Sequence, residues 1–192
     1  MNIQSEITSK KELTISTALE LFVTQGIQDT SMAQISKTSG VAVGTIYNHF
    51  TSKDHLIEEM YLALFEKFSE AVTLEDDETS LPFKERFILI MQKSYDFYIK
   101  NPNNYHFTYS HYNSSYISKE IKEKVDESMV EYSNLLNEGI KEKIFKEKNP
   151  KILMRWIYNN LISLVQLKLC EGVKLVKSKR DGYLLNAWKG IT

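Results

Sequence analysis

The first sixty residues carry apolar positions at helical spacing. From Ser9 to Gln25 apolar residues recur every three or four positions, and Gly26 follows at the point where such a helix would end. A second, shorter pattern ends at Gly40, and a third runs from Val41 to Phe50. The spacing of this third helix places on one face Val43, Ile46, Tyr47 and Phe50. The chain is therefore predicted to begin with three helices joined by short turns.

Longer apolar patterns fill the rest of the chain. They predict helices over about 52–72, 83–99, 117–145, 150–171 and 177–188, with Pro102 as the first residue of one more. The acidic run at 75–79, followed by Pro82, is predicted to be a solvated loop that separates a head from a body. Because the chain has only 7 Gly and 3 Pro and no convincing strand pattern, we predict an all-α fold with about nine helices.

Three features of the sequence indicate where in the cell we expect the protein. The single cysteine, Cys170, cannot form an intrachain disulfide, and no leader sequence opens the chain. The most apolar segment, 156–170, is interrupted by Asn, Gln and Lys side chains that a bilayer-spanning helix would not carry. We therefore expect a cytoplasmic protein without a membrane span.

Six positions among the first sixty residues have the spacing of a helix-turn-helix. They are Ile35, Ser36, Gly40, Val41, Ile46 and Phe50. Gly40 supplies the turn, and Asp29, Thr30 or Ser31 precedes the second helix as its N-cap. On spacing alone, an ordinary corner of three helices is an equally good interpretation.

The stretch TSMAQISKTSGVAVGTIYNHFTSKDHLIEEM, residues 30–60, resembles the DNA-binding signature of the TetR family of transcriptional repressors. The matching positions are Thr30 or Ser31, Ile35, Gly40, Val41, Gly44, Tyr47, His49, Phe50, Lys53 and Leu56. Ser36 and Ser39 stand where the family commonly has alanine, and Ala42 stands where serine or threonine often caps the recognition helix. The resemblance covers about residues 9–60, and it implies that the helix from Ala42 to Phe50 enters the major groove.

The resemblance also implies a role at the DNA for ten residues. Phosphate contact is implied for Thr30 or Ser31, Lys37, Tyr47, His49 and Lys53. Base contact is implied for Thr45 and Asn48, with Ala42 opening the helix and Gly44 letting the backbone approach closely. Two of these residues have an alternative, purely structural interpretation. Tyr47 could lie in the core, and His49 could cap a helix or fill space without contacting DNA.

The remainder of the chain is predicted to bind an effector and to dimerise. Residues 1–55 are assigned to the helix-turn-helix domain, a helix over about 52–72 connects it, and residues 56–192 form the body. Apolar residues cover most of the circumference of the helix that starts at Pro150, which favours a second buried surface beside the chain's own core. The resemblance implies a two-fold homodimer through a four-helix bundle, and a central core helix is the alternative.

Aromatic residues crowd the segment from residue 95 to residue 116. They favour a pocket whose tyrosine hydroxyls orient a small molecule, although ordinary core packing explains any one of them equally well. The candidate lining residues are Tyr98, Phe107, Tyr109, Tyr132 and Trp156. Their side chains favour a largely apolar effector, aromatic and cationic compounds included.

Nothing in the sequence indicates catalysis. The histidines are not spaced as ligands on one helix face, no cysteine pair or Gly-rich phosphate loop occurs, and Cys170 is interpreted as a small core residue. We therefore predict no enzyme activity, no metal and no cofactor.

The predicted function follows from the resemblance. It implies a ligand-responsive regulator of transcription, a repressor that binds a palindromic double-stranded DNA operator as a homodimer and is released by a small molecule. The alternative is a helical protein-interaction module whose segment 139–192, with 12 Lys and Arg against 4 Asp and Glu, binds an acidic partner.

Overall fold

A computed structural model describes the backbone of residues 3–192 and the side chains of residues 9–192. This part of the chain forms eleven α-helices and no β-strand, so the all-α prediction is confirmed, with two helices more than expected. The helices are α1 (Ile3–Gln25), α2 (Met32–Ser39), α3 (Val43–His49), α4 (Lys53–Val72), α5 (Asp76–Thr79), α6 (Phe83–Lys100), α7 (Pro102–His111), α8 (Lys119–Ser128), α9 (Val130–Lys141), α10 (Pro150–Leu169) and α11 (Lys177–Ile191). None of them is long and apolar enough to cross a membrane.

The helix ends show why the sequence divides where it does. Gly26 and Gly40 follow α1 and α2 with φ angles of +92° and +70°, in the left-handed region that glycine adopts without strain. Asn149 caps α10, since its side-chain oxygen accepts from the backbone N–H groups of Lys151 and Ile152 at 3.0 and 3.4 Å. The sequence predicted all three boundaries.

The first of two compact units comprises the chain as far as Leu64 together with Asn103–Val125. In it α1 packs on α2 and α3, and α2 packs on α3. The side chains that lie fully buried there include Ala18, Ile35, Ile46, Phe50, Leu56 and Ile57. α7 belongs to the same unit, because Phe107 stacks on Phe22 with 6.1 Å between ring centroids and Asn104 Nδ2 donates to the Leu64 carbonyl at 3.2 Å. The functional boundary after residue 55 stays a prediction.

The second compact unit comprises Phe65–Pro102 and Asp126–Thr192. Here α6 packs on α10 and α11, and α10 also packs on α9 and α11. Its most deeply buried apolar side chains include Phe87, Ile90, Met91, Leu153, Ile157, Val165 and Leu184. An ion pair joins α6 to α9, where the Arg86 guanidinium binds the Glu138 carboxylate and lowers the pKa of that carboxyl.

The single long helix predicted over 117–145 is wrong. The chain breaks at Met129 into α8 and α9, and the hydroxyl of Ser69 donates to the Ser128 carbonyl at 2.7 Å, which satisfies an acceptor freed by the break. α9 then ends at Lys141, because the Phe145 ring folds back onto Gly139, where a Cβ would collide with it. Helical periodicity alone contains neither of these tertiary contacts.

Two smaller predictions are also wrong. The acidic run at 75–79 is not an open loop, because Asp76–Thr79 forms α5 with a capping box in which the Glu75 N–H donates to Glu78 Oε2 at 2.8 Å. Cys170 is not a core residue, since it is exposed at the end of α10.

Candidate nucleic-acid interface

The turn between α2 and α3 is held by side chains as well as by glycine. Ser31, one of the three N-cap candidates in the sequence, caps α2 and accepts from the Gln34 N–H at 3.1 Å. At the other end of α2, Ser36 Oγ donates to the Val41 carbonyl at 2.7 Å, and Ser39 Oγ accepts from the Val41 N–H at 3.2 Å. The two serines that depart from the family pattern therefore fix both backbone groups of Val41.

α3 buries one face and leaves the other open. Ile46, and Phe50 just past its end, are fully buried in the first unit, as predicted. Val43 and Tyr47 were expected on the same inner face, and this is wrong, since they are 45% and 49% exposed. One turn separates these two residues, so they stand next to each other on the outer surface. The interpretation of Tyr47 as a core residue is thereby excluded.

The remaining α3 residues complete this outer surface, which we define as Ala42, Val43, Gly44, Thr45, Tyr47, Asn48 and His49. Gly44 and Asn48 are exposed, while Thr45 and His49 are half-buried at its flanks. Ala42 is the N-cap of α3 and makes no side-chain hydrogen bond, as predicted, because its methyl group has no acceptor atom. The surface has no Lys or Arg, and it presents two hydroxyls, an amide, an imidazole and apolar groups to a partner.

Thr30 is placed differently from what the resemblance implied. It is 1% exposed, and its hydroxyl donates to the Gly26 carbonyl at 2.8 Å and accepts from Gln25 Nε2 at 3.0 Å. Both functions of the hydroxyl are thus used inside the protein. Ser31, which is exposed at the amino end of α2, is the member of the pair that a phosphate could reach.

The lysines near this surface also differ in their surroundings. Lys53 is half-buried, and its ammonium donates to the carbonyls of Ile27 and Thr30 at 2.9 and 3.1 Å. Lys11 pairs with Glu59 at 2.8 Å. Lys37 is exposed in the last turn of α2. Only the last of these three has an ammonium that points to solvent without a described partner.

The five candidate ligand-lining residues fall in different surroundings. Tyr98 and Tyr132 are core residues of the second unit, where both rings stack on Phe68 and the Tyr132 hydroxyl bonds to Ser94 Oγ at 2.6 Å. Burial raises the pKa of the Tyr132 hydroxyl above its usual range. A single pocket lined by all five residues stays a prediction.

Of the other three candidates, Phe107 is buried, whereas Tyr109 and Trp156 are exposed. Phe107 lines a cleft of about 320 Å³ in the first unit, beside His106 and His111. Tyr109 is exposed in that unit, and Trp156 is exposed on α10 of the other, with its ring beside Gly190.

Comparison with known proteins decides the family. Residues 15–60 match the model for bacterial regulatory proteins of the tetR family. An uncharacterised HTH-type transcriptional regulator of Haemophilus influenzae is 33% identical over 82 residues, which span 43% of each protein. The uncharacterised HTH-type transcriptional regulator YhgD of Bacillus subtilis is 27% identical over 150 residues, which span 74% of this chain and 75% of that one. The helix-turn-helix segment of this chain is therefore that of the TetR family.

The TetR-family fold extends over the whole chain. The crystal structure of the transcriptional regulator FadR from Bacillus subtilis in complex with stearoyl-CoA superposes with a TM-score of 0.74 over 94% of this chain and 99% of that one, at 22% identity. The chain has the helix-turn-helix of a DNA-binding transcriptional regulator, formed by α2 and α3. The prediction that it has no enzyme activity stays a prediction.

Proposed function

We propose that the chain is a repressor that binds a palindromic operator as a homodimer and leaves it when a small molecule binds. The observation that carries the proposal is the outer surface of α3, because a short helix with buried Ile46 and Phe50 presents an uncharged, groove-sized face. Such a face suits base edges, which are read by hydrogen bonds and apolar contacts rather than by charge.

Most residues of that surface have a proposed role. Asn48 is exposed and has the amide that pairs with adenine, and Val43 offers methyl groups to the methyl group of thymine. Val43 was predicted to face inward and was not among the predicted DNA-contacting residues, and only its exposure reveals it. Thr45 and His49 would approach the DNA from the flanks of the surface, and Gly44, which has no side chain, lets the helix backbone come close to the DNA.

Phosphate contacts are proposed for three side chains around this surface. Tyr47 has an exposed hydroxyl, Ser31 lies at the amino end of α2, and Lys37 is an exposed cation. Because Lys37 is the exposed cation of this set, we expect weak electrostatic binding by one copy. Two copies on a palindrome double the contacts and so make up for the low charge.

The dimer is proposed through α10 and α11. Most apolar residues of α10 are buried within the chain, but Ile152 and Trp156 on α10 and Tyr183 on α11 stay exposed. The sequence predicted a second buried surface from apolar residues around most of the circumference of α10. In the structure only Ile152 and Trp156 of α10 are available for such a surface. A patch of this kind on two adjacent helices suits a two-fold contact with a second copy.

Release by a small molecule is proposed from the FadR relative, whose structure contains stearoyl-CoA. For this chain the proposal requires that the molecule bind more tightly to the released form than to the DNA-bound form.

The test of the DNA-binding surface is a gel shift with the DNA that flanks the encoding gene. Tyr47→Phe removes one hydroxyl, and we expect it to weaken binding about tenfold for preferred and unrelated sequences alike, because a phosphate contact carries no sequence information. Tyr109→Phe is the matched control, since Tyr109 is 48% exposed in the same unit. Equal affinities of the two variants would remove Tyr47 from the interface.

A further inference from the structure

A cleft of about 440 Å³ lies in the second unit, between α6, the carboxyl end of α10 and the start of α11. Its lining residues are Leu89, Gln92, Lys93, Tyr95, Asp96, Ile99, Lys168, Leu175, Lys177 and Arg180. None of the five lining residues that the sequence suggested for a ligand is among them, although Tyr95 belongs to the aromatic segment 95–116. The volume lies within the range of small-molecule sites in proteins.

The charge of this lining is unbalanced. It contains four cations against a single carboxylate, that of Asp96. The Arg180 side chain is only 9% exposed, and it is anchored by ion pairs to Asp96 at 2.7 Å and to Asp181 at 2.8 Å. Lys93 is anchored as well, since its ammonium binds Glu78 and the Thr73 carbonyl. Two of the four cations are therefore neutralised within the protein.

The other two cations are not neutralised. Lys168 comes from the last turn of α10 and Lys177 from the first turn of α11. Among the described residues, neither ammonium makes a hydrogen bond or an ion pair. Their convergence on one cleft concentrates positive potential there.

The sequence at the start of α11 is a second indication, separate from the cleft lining, that an anion binds there. The helix begins with Lys177, Ser178, Lys179 and Arg180, it has no acidic residue in its first turn, and Val176 supplies no side-chain cap. Cations at the positive end of a helix are unfavourable. Local conflicts of this kind concentrate at functional positions, and a bound anion would relieve this one.

Apart from Gln92, the uncharged part of the lining is largely apolar. Leu89 and Ile99 on α6 and Leu175 before α11 contribute hydrocarbon, and the buried ring of Tyr95 lies 5.7 Å from the Arg180 guanidinium carbon. A small inorganic ion would leave these groups unused, whereas an amphipathic molecule would cover them and gain about 25 cal/mol for each Å² of apolar surface removed from water.

We propose that this cleft binds an organic monoanion. Its charged group lies between Lys168 and Lys177, and its apolar part lies against Leu89, Ile99 and Leu175. Binding of the anion does not depend on the proposed function above. Its role as the effector that releases DNA does rest on that function. Because α10 and α11 also carry the proposed dimer surface, an anion held between their ends favours one packing of these two helices.

The test is a calorimetric titration of the full chain, without DNA, with decanoate below its micelle concentration. We expect decanoate to bind and uncharged 1-decanol to bind at least tenfold more weakly. The double variant Lys168→Met, Lys177→Met keeps the aliphatic stems and removes both charges, so its decanoate affinity should fall at least tenfold. Lys179→Met is the matched control, because Lys179 is in the same turn of α11 but does not line the cleft, and its affinity should stay within twofold.

Two outcomes overturn the proposal: absence of decanoate binding to the unmodified chain, or equal affinity of the double variant and the control. A gel shift without decanoate tests the proposed function separately. If decanoate binds with the expected variant pattern but no sequence-preferring shift is found, the site stands and the repressor proposal fails. If both are found and decanoate leaves the shift unchanged, the anion is not the effector.

Discussion

The ammonium of Lys53 donates to the carbonyl oxygens of Ile27 and Thr30, which belong to the turn between α1 and α2. That turn leads directly to Ser31, the N-cap of α2. Because Lys53 is also the first residue of α4, one side chain ties the start of α4 to the start of the helix-turn-helix. We therefore propose that Lys53 positions the DNA-contacting surface from within, whereas the family resemblance implied a phosphate contact.

This role makes a prediction for Lys53→Met. Loss of two charge-assisted hydrogen bonds at a half-buried site should lower the free energy of unfolding by about 1–2 kcal/mol. The slope of log K against log salt should not change, because an ammonium held by two carbonyls releases no counterion when DNA binds. Urea unfolding and anisotropy titrations across salt measure the two quantities.

Lys37→Met is the matched control for that experiment. Lys37 is exposed, so its substitution should leave stability unchanged and reduce the salt slope by about 0.9 for each phosphate that this ammonium neutralises. A reduced salt slope for Lys53→Met would show that Lys53 binds phosphate after all.

His111 gives the first unit a dependence on pH. Its ring lies 4.7 Å from the Phe107 ring, and burial lowers the pKa of His111 below its usual range. The unfolded chain therefore takes up a proton at a higher pH than the folded chain does. Stability is fully present above about pH 6.5 and is lost as the pH falls from there toward the lowered pKa, with a slope of at most about 1.4 kcal/mol per pH unit.

The variant His111→Gln isolates this effect. It should cost some stability at pH 8, where the imidazole is neutral in both states, and the cost should shrink as the pH falls to 5. Chemical unfolding of both proteins at several pH values measures the difference. A difference that is constant over this range would exclude a buried, neutral His111.

At the scale of elements, α9 depends on the absence of a side chain. Gly139 lies inside the helix, where alanine would ordinarily be favoured by about 1 kcal/mol. The Phe145 ring occupies the space of the missing Cβ, and Ile144 N donates to the Gly139 carbonyl at 2.9 Å as the chain turns back. Helix propensity and packing therefore oppose each other at this position.

We expect packing to decide the outcome. Gly139→Ala should destabilise the chain by about 1–3 kcal/mol, because the ring must leave its place. Asn137→Ala, exposed on the same helix, should be neutral or slightly stabilising. Thermal unfolding measures both, and the substitution Phe145→Leu should remove part of the Gly139→Ala penalty. A stabilising Gly139→Ala would contradict this account.

The elements differ in how far the sequence predicted them. Gly26, Gly40 and Ser31 fixed the ends of α1 and α2, because caps and stops are local signals. The break at Met129 could not be predicted, since it depends on Ser69, a residue distant in sequence. In the site, the family pattern identified α3, but the inward or outward direction of Val43 and Tyr47 depended on packing that apolar spacing does not contain.

At the scale of the whole molecule, the proposed dimer makes the sharpest prediction. Ile152→Glu places a charge in the proposed contact, and it should yield a monomer in sedimentation equilibrium at micromolar concentration. Val130→Glu is the matched control, because Val130 is 52% exposed in the same unit, close to the 53% of Ile152, and it should stay dimeric. A dimeric Ile152→Glu would place the contact elsewhere.

The same variant connects assembly to DNA binding. A monomer reaches only half of a palindrome, so its affinity for the full site should fall by a factor of about 10² or more. A single half-site should bind the variant and the unmodified chain equally well.

The split composition of the first unit also governs the order in which the chain acquires structure during its synthesis. Three early residues have partners that are synthesised much later. The Phe22 ring packs on Phe107, the Leu64 carbonyl accepts from Asn104, and the Gln28 amide donates to the Tyr116 hydroxyl. A ribosome must therefore release residues up to about 125 before this unit can close, although its helix-turn-helix is made first. Until then the apolar side of α1, with Phe22, lacks the cover that Phe107 gives it in the folded unit.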